Sequence, residues 1–322
     1  MPDVYVLIFA PGGAAARAAL EPLGAGRALA EGLGGKLAGV VVGAGAEEVA
    51  AEARRRADAV IHVTGDHLRA YEADAFTAAA EHALKGRDAA AVLTLADAVG
   101  REVAPRLAAR LGGSPLTEVS GAQVEDGRPV FTRPVFGGKA VAKLVGRRAP
   151  VVVTVKAGAF EAPAESGAEA PLETIQAPAV EPAVEVLARE AAPAAGVPLD
   201  AAPVVVSGGR GVGGPEPFQK ELKELAEALG GAVGASLAAV DAGWVPQSYQ
   251  VGQTGTAVAP TVYIAVGISG ASQHLAGISG AKHVVAINKD KDAPIFRVAE
   301  VGLVGEWKPI VDALIRAVKA GK

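Results

Sequence analysis

The sequence predicts an α/β protein of two domains, each an open, mostly parallel sheet flanked by helices, with antiparallel strands added to the first. Three observations lead there. Short apolar runs alternate with Ala- and Leu-rich helical segments over residues 1–113 and again beyond 203, and strands that alternate with helices imply parallel pairing through right-handed crossovers. Runs such as Val4-Tyr-Val-Leu-Ile-Phe9 are apolar throughout rather than at every second position, as expected of strands covered on both faces. The 322 residues also exceed one domain of roughly 100–200 residues. The expected domains are 1–196 and 197–322, the first ending in a Pro- and Ala-rich linker.

The elements follow in order. Residues 4–9, 36–43, 59–63 and 91–95 read as strands, and 14–34, 47–57, 72–84 and 100–111 as the helices between and after them. Gly112-Gly113 closes the last of these helices. From 119 the texture changes. Residues 119–124, 130–136 and 140–145 are short strands with turn signals at Glu125-Asp126-Gly127 and Gly137-Gly138, and 150–156 is one more apolar strand. Together they read as an antiparallel addition to the first sheet. Residues 158–200 contain one plausible strand at 184–187 and otherwise read as linker. The second domain opens on Pro203-Val-Val-Val-Ser207. A helix follows with Phe218, Leu222, Leu225 and Leu229 on one face,, and Pro215 and Pro217 suit its first turn. Strands are expected at 232–235, 262–266 and 283–287, and a closing helix at 306–318.

Composition excludes several functions. The net charge is −4 with no basic stripe, which argues against a nucleic-acid partner. The absence of cysteine rules out disulfides, thiolate metal sites and Cys nucleophiles. The chain opens directly on a strand pattern with no basic leader, and no unbroken run of about 20 apolar residues predicts a membrane span. A cytoplasmic protein is expected, with no metal site and no catalytic triad.

The chemistry concentrates in residues 236–274, where small polar residues flanked by glycine follow apolar runs. That is how a chain brings backbone N–H groups and hydroxyls up to a polar or anionic ligand. Gly209-x-Gly211-x-x-Gly214 follows a strand and precedes a helix, so it fits the dinucleotide fingerprint. Yet Ala235-Ser236 stand where an acidic residue would meet a ribose, and 41 glycines make such matches cheap. The loop is either a plain turn or a phosphate or cofactor loop, with Arg210 either solvated or reaching the ligand. Gln250-Val-Gly252-Gln253-Thr254-Gly255 is poor core and poor helix; it is a surface loop or a set of donors and acceptors for a flat heteroaromatic ring. Ser269-Gly270-Ala271-Ser272-Gln273-His274 looks like a strand-to-helix turn whose amides could hold a pyrophosphate, with His274 one turn into the helix. Asn288 is a turn-former or a ribose and phosphate contact. Arg101, Arg106 and Arg110, and Arg128, Arg133, Arg147 and Arg148, read as solvated faces. His62, His67 and His82 show no metal-ligand spacing.

Taken together, these segments resemble the alpha subunit of electron transfer flavoproteins. The resemblance is carried by Val205-Val-Ser-Gly-Gly-Arg-Gly211, Val233-Gly-Ala-Ser236, Ala238-Ala-Val-Asp-Ala-Gly243, Gln250–Gly255, Tyr263-Ile-Ala-Val-Gly-Ile-Ser-Gly-Ala271, Gln273-His-Leu-Ala-Gly277, Val285-Ala-Ile-Asn-Lys-Asp290 and Ala293-Pro-Ile-Phe296, and more loosely by Arg101-Glu-Val-Ala-Pro-Arg106 and Thr132-Arg-Pro-Val-Phe-Gly-Gly138. It implies a Rossmann-like second domain that holds FAD and a heterodimer with a beta subunit. It also implies electron relay from acyl-CoA or other dehydrogenases to a quinone-linked oxidoreductase, without substrate turnover of the chain's own. By the same resemblance Arg210, Ser236, Gln250, Gly252, Gln253, Thr254, Gly255, Ser269, Ser272, Gln273, His274 and Asn288 are expected around FAD. Thr254 would lie near the flavin N5, His274 would bond the C2 carbonyl, and Gly270 and Ala271 would serve the pyrophosphate. Donors at that edge favour an extra electron on the ring in a low-dielectric site. Two positions depart from the pattern. Leu237 stands where many members carry an arginine over the flavin, which should lower the potential of the one-electron-reduced ring. Glu306 replaces an aspartate that commonly meets the adenosine end. The competing readings are an NAD-dependent oxidoreductase using the 209–214 loop and a structural partner without cofactor.

Overall fold

The structure is a computed structural model that describes residues 2–16, 18–136, 138–181, 183–184, 186 and 197–321. The chain divides into two compact units, 1–187 and 188–322. The expected boundary at 196/197 adjoins residues 187–196, outside the described residues, as do positions 185 and 187 of the strand expected at 184–187.

The first unit starts with β1 (Asp3–Phe9), α1 (Pro22–Leu33), β2 (Leu37–Val42), α2 (Glu47–Arg54), β3 (Ala59–Thr64), α3 (Ala73–Leu84), β4 (Ala89–Leu95) and α4 (Ala98–Arg110). It continues with β5 (Ser114–Val119), β6 (Gly121–Glu125), β7 (Arg128–Val135), β8 (Ala140–Val145), β9 (Val151–Val155) and β10 (Leu172–Gln176). Seven strands form one sheet in the order β10-β3-β2-β1-β4-β9-β5, and every pairing in it is parallel. The unbroken apolar runs are explained by the two faces: Val4, Val6 and Ile8 pack with Leu23 and Leu29 of α1 and Ala50 of α2, whereas Tyr5, Leu7 and Phe9 pack with Phe76 of α3 and Val103 and Leu107 of α4.

Four expectations need correction. Strands β6, β7 and β8 form an antiparallel sheet of their own rather than extending the parallel one; Phe131 joins it to the core built around Val4, Val6, Ile8, Leu23 and Leu29. The apolar strand read at 150–156 is β9, and it lies inside the parallel sheet between β4 and β5; its five residues are all buried. The helix read at 14–34 begins only at Pro22. A proline inside the longer helix would lack its N–H and clash with the preceding turn, whereas it is tolerated at the first position. The stretch read as linker contains β10, an edge strand paired to β3. The arginines of α4 are exposed and ion-paired, Arg101 with Glu118 and Arg106 with Asp74 and Glu102. His62 is buried with Nε2 3.0 Å from the Gly43 carbonyl, a structural contact.

The second unit comprises β11 (Val204–Gly208), α5 (Glu216–Gln219), α6 (Glu221–Ala228), β12 (Ala232–Ala235), α7 (Leu237–Asp241), β13 (Val262–Val266), α8 (Ser272–Ile278), β14 (His283–Asn288), β15 (Val301–Val304) and α9 (Trp307–Ala320). Its five strands are all parallel, in the order β12-β11-β13-β14-β15. Val206, Ile264 and Val266 face Phe218, Leu222, Leu225 and the α9 residues Val311 and Ile315. Val205, Tyr263 and Ala265 face Ile278 and Ile295. The helix expected after the glycine loop is broken at Lys220 (φ −117°, ψ −96°), and the edge strand β15 went unread. Among the described residues no helix is long and apolar enough to cross a membrane.

Candidate functional site

In an open sheet of this order the crossovers change direction between its first and third strands in chain order, and ligands bind beyond the carboxyl ends at that point. Here the switch lies between β11 and β13, whose following loops are 209–214 and 267–271. The two loops touch backbone to backbone. Gly211 N–H donates to the Gly267 carbonyl at 3.0 Å. A Cβ on Gly209 or Gly211 would lie 2.3 or 2.7 Å from that same oxygen. Gly267 and Gly270 adopt φ +61° and +86°, which L side chains rarely tolerate, and a Cβ on Gly270 would meet the Ile295 nitrogen at 2.3 Å. The turn after β13 is thus clamped from both sides, leaving its outer edge to whatever lies beyond the sheet.

The 250–256 loop forms the second wall. Val251 N–H donates to the Ala235 carbonyl at 2.9 Å, and Gln250 bridges Ala235 in parallel, so the loop continues from the end of β12. It curls back through Gly255 N–H to the Gly252 carbonyl and Thr256 N–H to the Gln250 carbonyl. Gln250, expected to face a ligand, is buried, and its Nε2 donates to Thr254 Oγ1 at 2.9 Å; it therefore holds Thr254 in place. The loop is fastened to α8: Gln253 N–H donates to the Gln273 carbonyl at 2.9 Å, and Gly277 presses on Gly252 so closely that a Cβ would lie 2.4 Å from its Cα.

His274 stands in the first turn of α8 and is buried. Its Nε2 lies 2.9 Å from the Tyr263 hydroxyl, while its Nδ1 is buried with no hydrogen-bond partner. Burial pushes its pKa down to about 4, and a hydrogen-bonding contact with the Val251 backbone, too poorly aligned to pair Nδ1 in full, offsets this only in part, so the ring is neutral at pH 7. Burial pushes the Tyr263 phenol far up, and Ser207 softens the rise without its Oγ reaching hydrogen-bond geometry.

The remaining expected residues lie along the same carboxyl edge. Arg210 is exposed in the turn after β11. Ser236 is buried at the start of α7, and its hydroxyl does not cap that helix. Thr254, Gln253, Ser269, Ala271, Ser272 and Gln273 are exposed; Ser272 Oγ leans on Gln273 Oε1 at 3.4 Å. Asn288 uses both ends of its amide on its own loops: Nδ2 donates to the Ile268 carbonyl at 2.9 Å and Oδ1 accepts from Asp290 N–H at 3.0 Å. Glu306 is exposed at the start of α9, beyond β15. An open hollow of about 460 Å³ in the first unit, lined among others by Pro115, Val145, Arg147 and Arg148, includes none of these residues.

Sequence reasoning did not reach Tyr263, Ser207 or Gly277. A phenol within the aliphatic run Val262-Tyr-Ile-Ala-Val266 is the signal that was available, because a buried hydroxyl needs a polar partner.

Two family models cover most of the chain: the electron transfer flavoprotein domain matches residues 4–180 and the electron transfer flavoprotein FAD-binding domain matches 198–279. The chain belongs to the electron transfer flavoprotein alpha-subunit family. The electron transfer flavoprotein subunit alpha of Thermoanaerobacterium thermosaccharolyticum is 37% identical over 98% of both chains. Protein FixB of Clostridium saccharobutylicum is 37% identical over 94% of this chain and 92% of its own. The subunit alpha of Mycobacterium leprae is 46% identical over 72% of each. Membership accounts for both units together and assigns the chain an electron-transfer role with flavin binding in the second unit.

Proposed function

We propose that this chain is the FAD-carrying subunit of a cytoplasmic heterodimeric electron carrier. In this reading a beta subunit completes the dimer, acyl-CoA or other dehydrogenases deliver electrons, and a quinone-linked oxidoreductase receives them one at a time. The chain carries electrons and turns over no substrate of its own.

The observation that carries the reading is the buried, unpartnered Nδ1 of His274 at the sheet's switch point. A buried polar atom without a partner costs about 1–3 kcal/mol and calls for an explanation; a flavin carbonyl supplies one. The rest of the donor set fits the same group. Glycines 209, 211, 267 and 270 are places where any Cβ would collide with backbone, so the turns stay slim beside a flat ligand and a pyrophosphate. Thr254, Ser269, Ser272 and Gln273 offer neutral hydroxyls and an amide, and Arg210 offers the one cation of the 209–214 loop.

When bound, FAD supplies redox chemistry in one- and two-electron steps. The chain's task is to bind and orient it and to favour negative charge at one edge. His274 stays neutral at pH 7 and presents a fixed dipole from a dry site, where such dipoles act more strongly than in water. Gln250 holds Thr254 in place. Ser236, Glu306 and Asn288 complete the reading, Asn288 by clamping the turns after β13 and β14 and the other two along the carboxyl edge.

The NAD-dependent alternative has less support. The third glycine of a dinucleotide loop serves close helix–strand packing, but a Cβ on Gly214 would meet nothing within 4 Å. The end of β12 offers Ala235-Ser236 in place of an acid. The test is the visible spectrum of the chain purified with its co-expressed beta subunit. Flavin absorbance supports the proposal; a colourless complex that binds NAD overturns it in favour of the alternative.

A further inference from the structure

Three buried polar groups line up beneath the candidate site on one face of the second unit's sheet. Ser207 lies on β11, where it pairs with Ala265 of the neighbouring β13; Tyr263 lies two residues before Ala265 on the same face, and His274 on α8 above them. Tyr263 is fully buried, Ser207 likewise, and His274 nearly so. Burying three polar side chains against an apolar sheet is costly unless they satisfy one another. We propose that Tyr263 is a positioning residue, whose phenolic O–H donates to His274 Nε2 and thereby fixes the proton of the imidazole on Nδ1, the nitrogen that would serve as donor to a flavin carbonyl.

The direction of the bond follows from the available acceptors. The phenol keeps its proton, because burial opposes the charged form,. That proton needs an acceptor within reach. Ser207 Oγ makes no hydrogen bond, whereas His274 Nε2 lies 2.9 Å away. A neutral imidazole has one donor and one acceptor nitrogen. With Nε2 accepting, Nδ1 carries the hydrogen, and Nδ1 is the buried atom without a partner. The second ring nitrogen's bond sets which tautomer is present. In the opposite tautomer Nδ1 would be a bare acceptor and would repel a carbonyl oxygen, and the phenolic proton would be left to Ser207 Oγ, with which it makes no well-formed bond. A phenol serves better than a carboxylate here, because it sets the tautomer without raising the basicity of the ring or adding negative charge under a ring that is to receive electrons.

This inference rests on the electron-carrier reading, and its test separates the two. Histidine is labelled with ¹⁵N in the heterodimer, the His274 signals are assigned by their loss in His274→Gln, and nitrogen shifts at neutral pH report which ring nitrogen is protonated. The wild type should show Nδ1–H. Tyr263→Phe keeps the ring that fills the core but removes the donor; it should retain flavin, lose the tautomer preference and bind the first electron about tenfold less favourably, a fall of about 59 mV for a one-electron couple. Ser207→Ala should keep the Nδ1–H signal. An Nε2–H wild type, or Tyr263→Phe with unchanged tautomer or potential in a yellow preparation, overturns the role of Tyr263. A preparation without flavin absorbance instead overturns the carrier reading.

Discussion

Gly277→Ala is the sharpest probe of how the site is assembled. The glycine sits in α8 where it meets the 250–256 loop, and an added Cβ would lie 2.4 Å from the Gly252 Cα and 2.5 Å from its nitrogen. Carbon atoms rest at about 3.5–4.0 Å, so the loop must withdraw by more than about 1 Å. Two hydrogen bonds span this seam, Gln253 N–H to the Gln273 carbonyl at 2.9 Å and Val258 N–H to the Gly277 carbonyl at 2.8 Å. Losing each costs about 1 kcal/mol, and overpacking adds about 1–3 kcal/mol. The better helix propensity of alanine returns about 1 kcal/mol. The expected net loss is about 2–4 kcal/mol in urea unfolding. Because the loop carries Gln253 and Thr254, flavin affinity should fall at least tenfold, which is about 1.4 kcal/mol. Gly214→Ala is the matched control: its Cβ has open space, and its stability should stay within about 0.5 kcal/mol of wild type. Titration of the deflavinated heterodimer with FAD, followed by flavin fluorescence, reads the affinity. If Gly277→Ala binds FAD as the wild type does and unfolds within about 0.5 kcal/mol of it, the loop is not held by this contact and the account of the second wall is wrong.

Further outcomes follow from the same site. The folded-state pKa of His274 is about 4, below the ordinary value of about 6.5, so the unfolded chain binds the proton more readily and stability falls as pH drops from about 6.5 towards 4. Between pH 7 and 5 this group contributes a loss of about 2 kcal/mol; His274→Gln should lose that much less over the same interval, and equal losses in both proteins would contradict the assignment. His274→Ala should retain flavin while its first reduction potential falls, as read by potentiometric titration; an unchanged potential removes the histidine from the flavin's edge. Leu237→Arg places a cation at the nearly half-exposed first residue of α7, and the one-electron-reduced flavin should then accumulate more fully during reduction; identical titrations would show that position 237 does not face the ring.

What could be read from the sequence, and what could not, divides along physical lines. Strands covered on both faces announce themselves: Val4–Phe9 and Val262–Val266 are apolar without interruption because both sets of alternating side chains enter a core. Edge strands do not. Leu172, Glu173 and Thr174 of β10 are all exposed, so no apolar run marks a strand whose existence depends on pairing with β3. For β9 the apolar run was legible but its position was not. Its place inside the parallel sheet follows from where the chain returns after the antiparallel excursion, which no local pattern encodes.

The site shows the same division at finer scale. Glycine-rich turns at 209–214, 250–255 and 267–271 were legible as turns, but the abundance of glycine hid which of them are obligatory. Contact distances separate Gly209, Gly267 and Gly277, each pressed against another backbone, from Gly214, which faces open space, while Gly213 is required by its φ of +89° rather than by a neighbour. His274 was legible as a candidate because it opens a helix directly after an apolar strand. Its chemistry was not, since the state of an imidazole is set by its partner, and that partner is Tyr263, which lies eleven residues earlier on another element. A tyrosine in a covered strand is nevertheless a readable demand: its hydroxyl must find a partner inside, and it finds one in the histidine above it. The demand made by Tyr263 and the bare nitrogen of His274 are thus two ends of one pair, joined by the 2.9 Å contact between the phenol and Nε2.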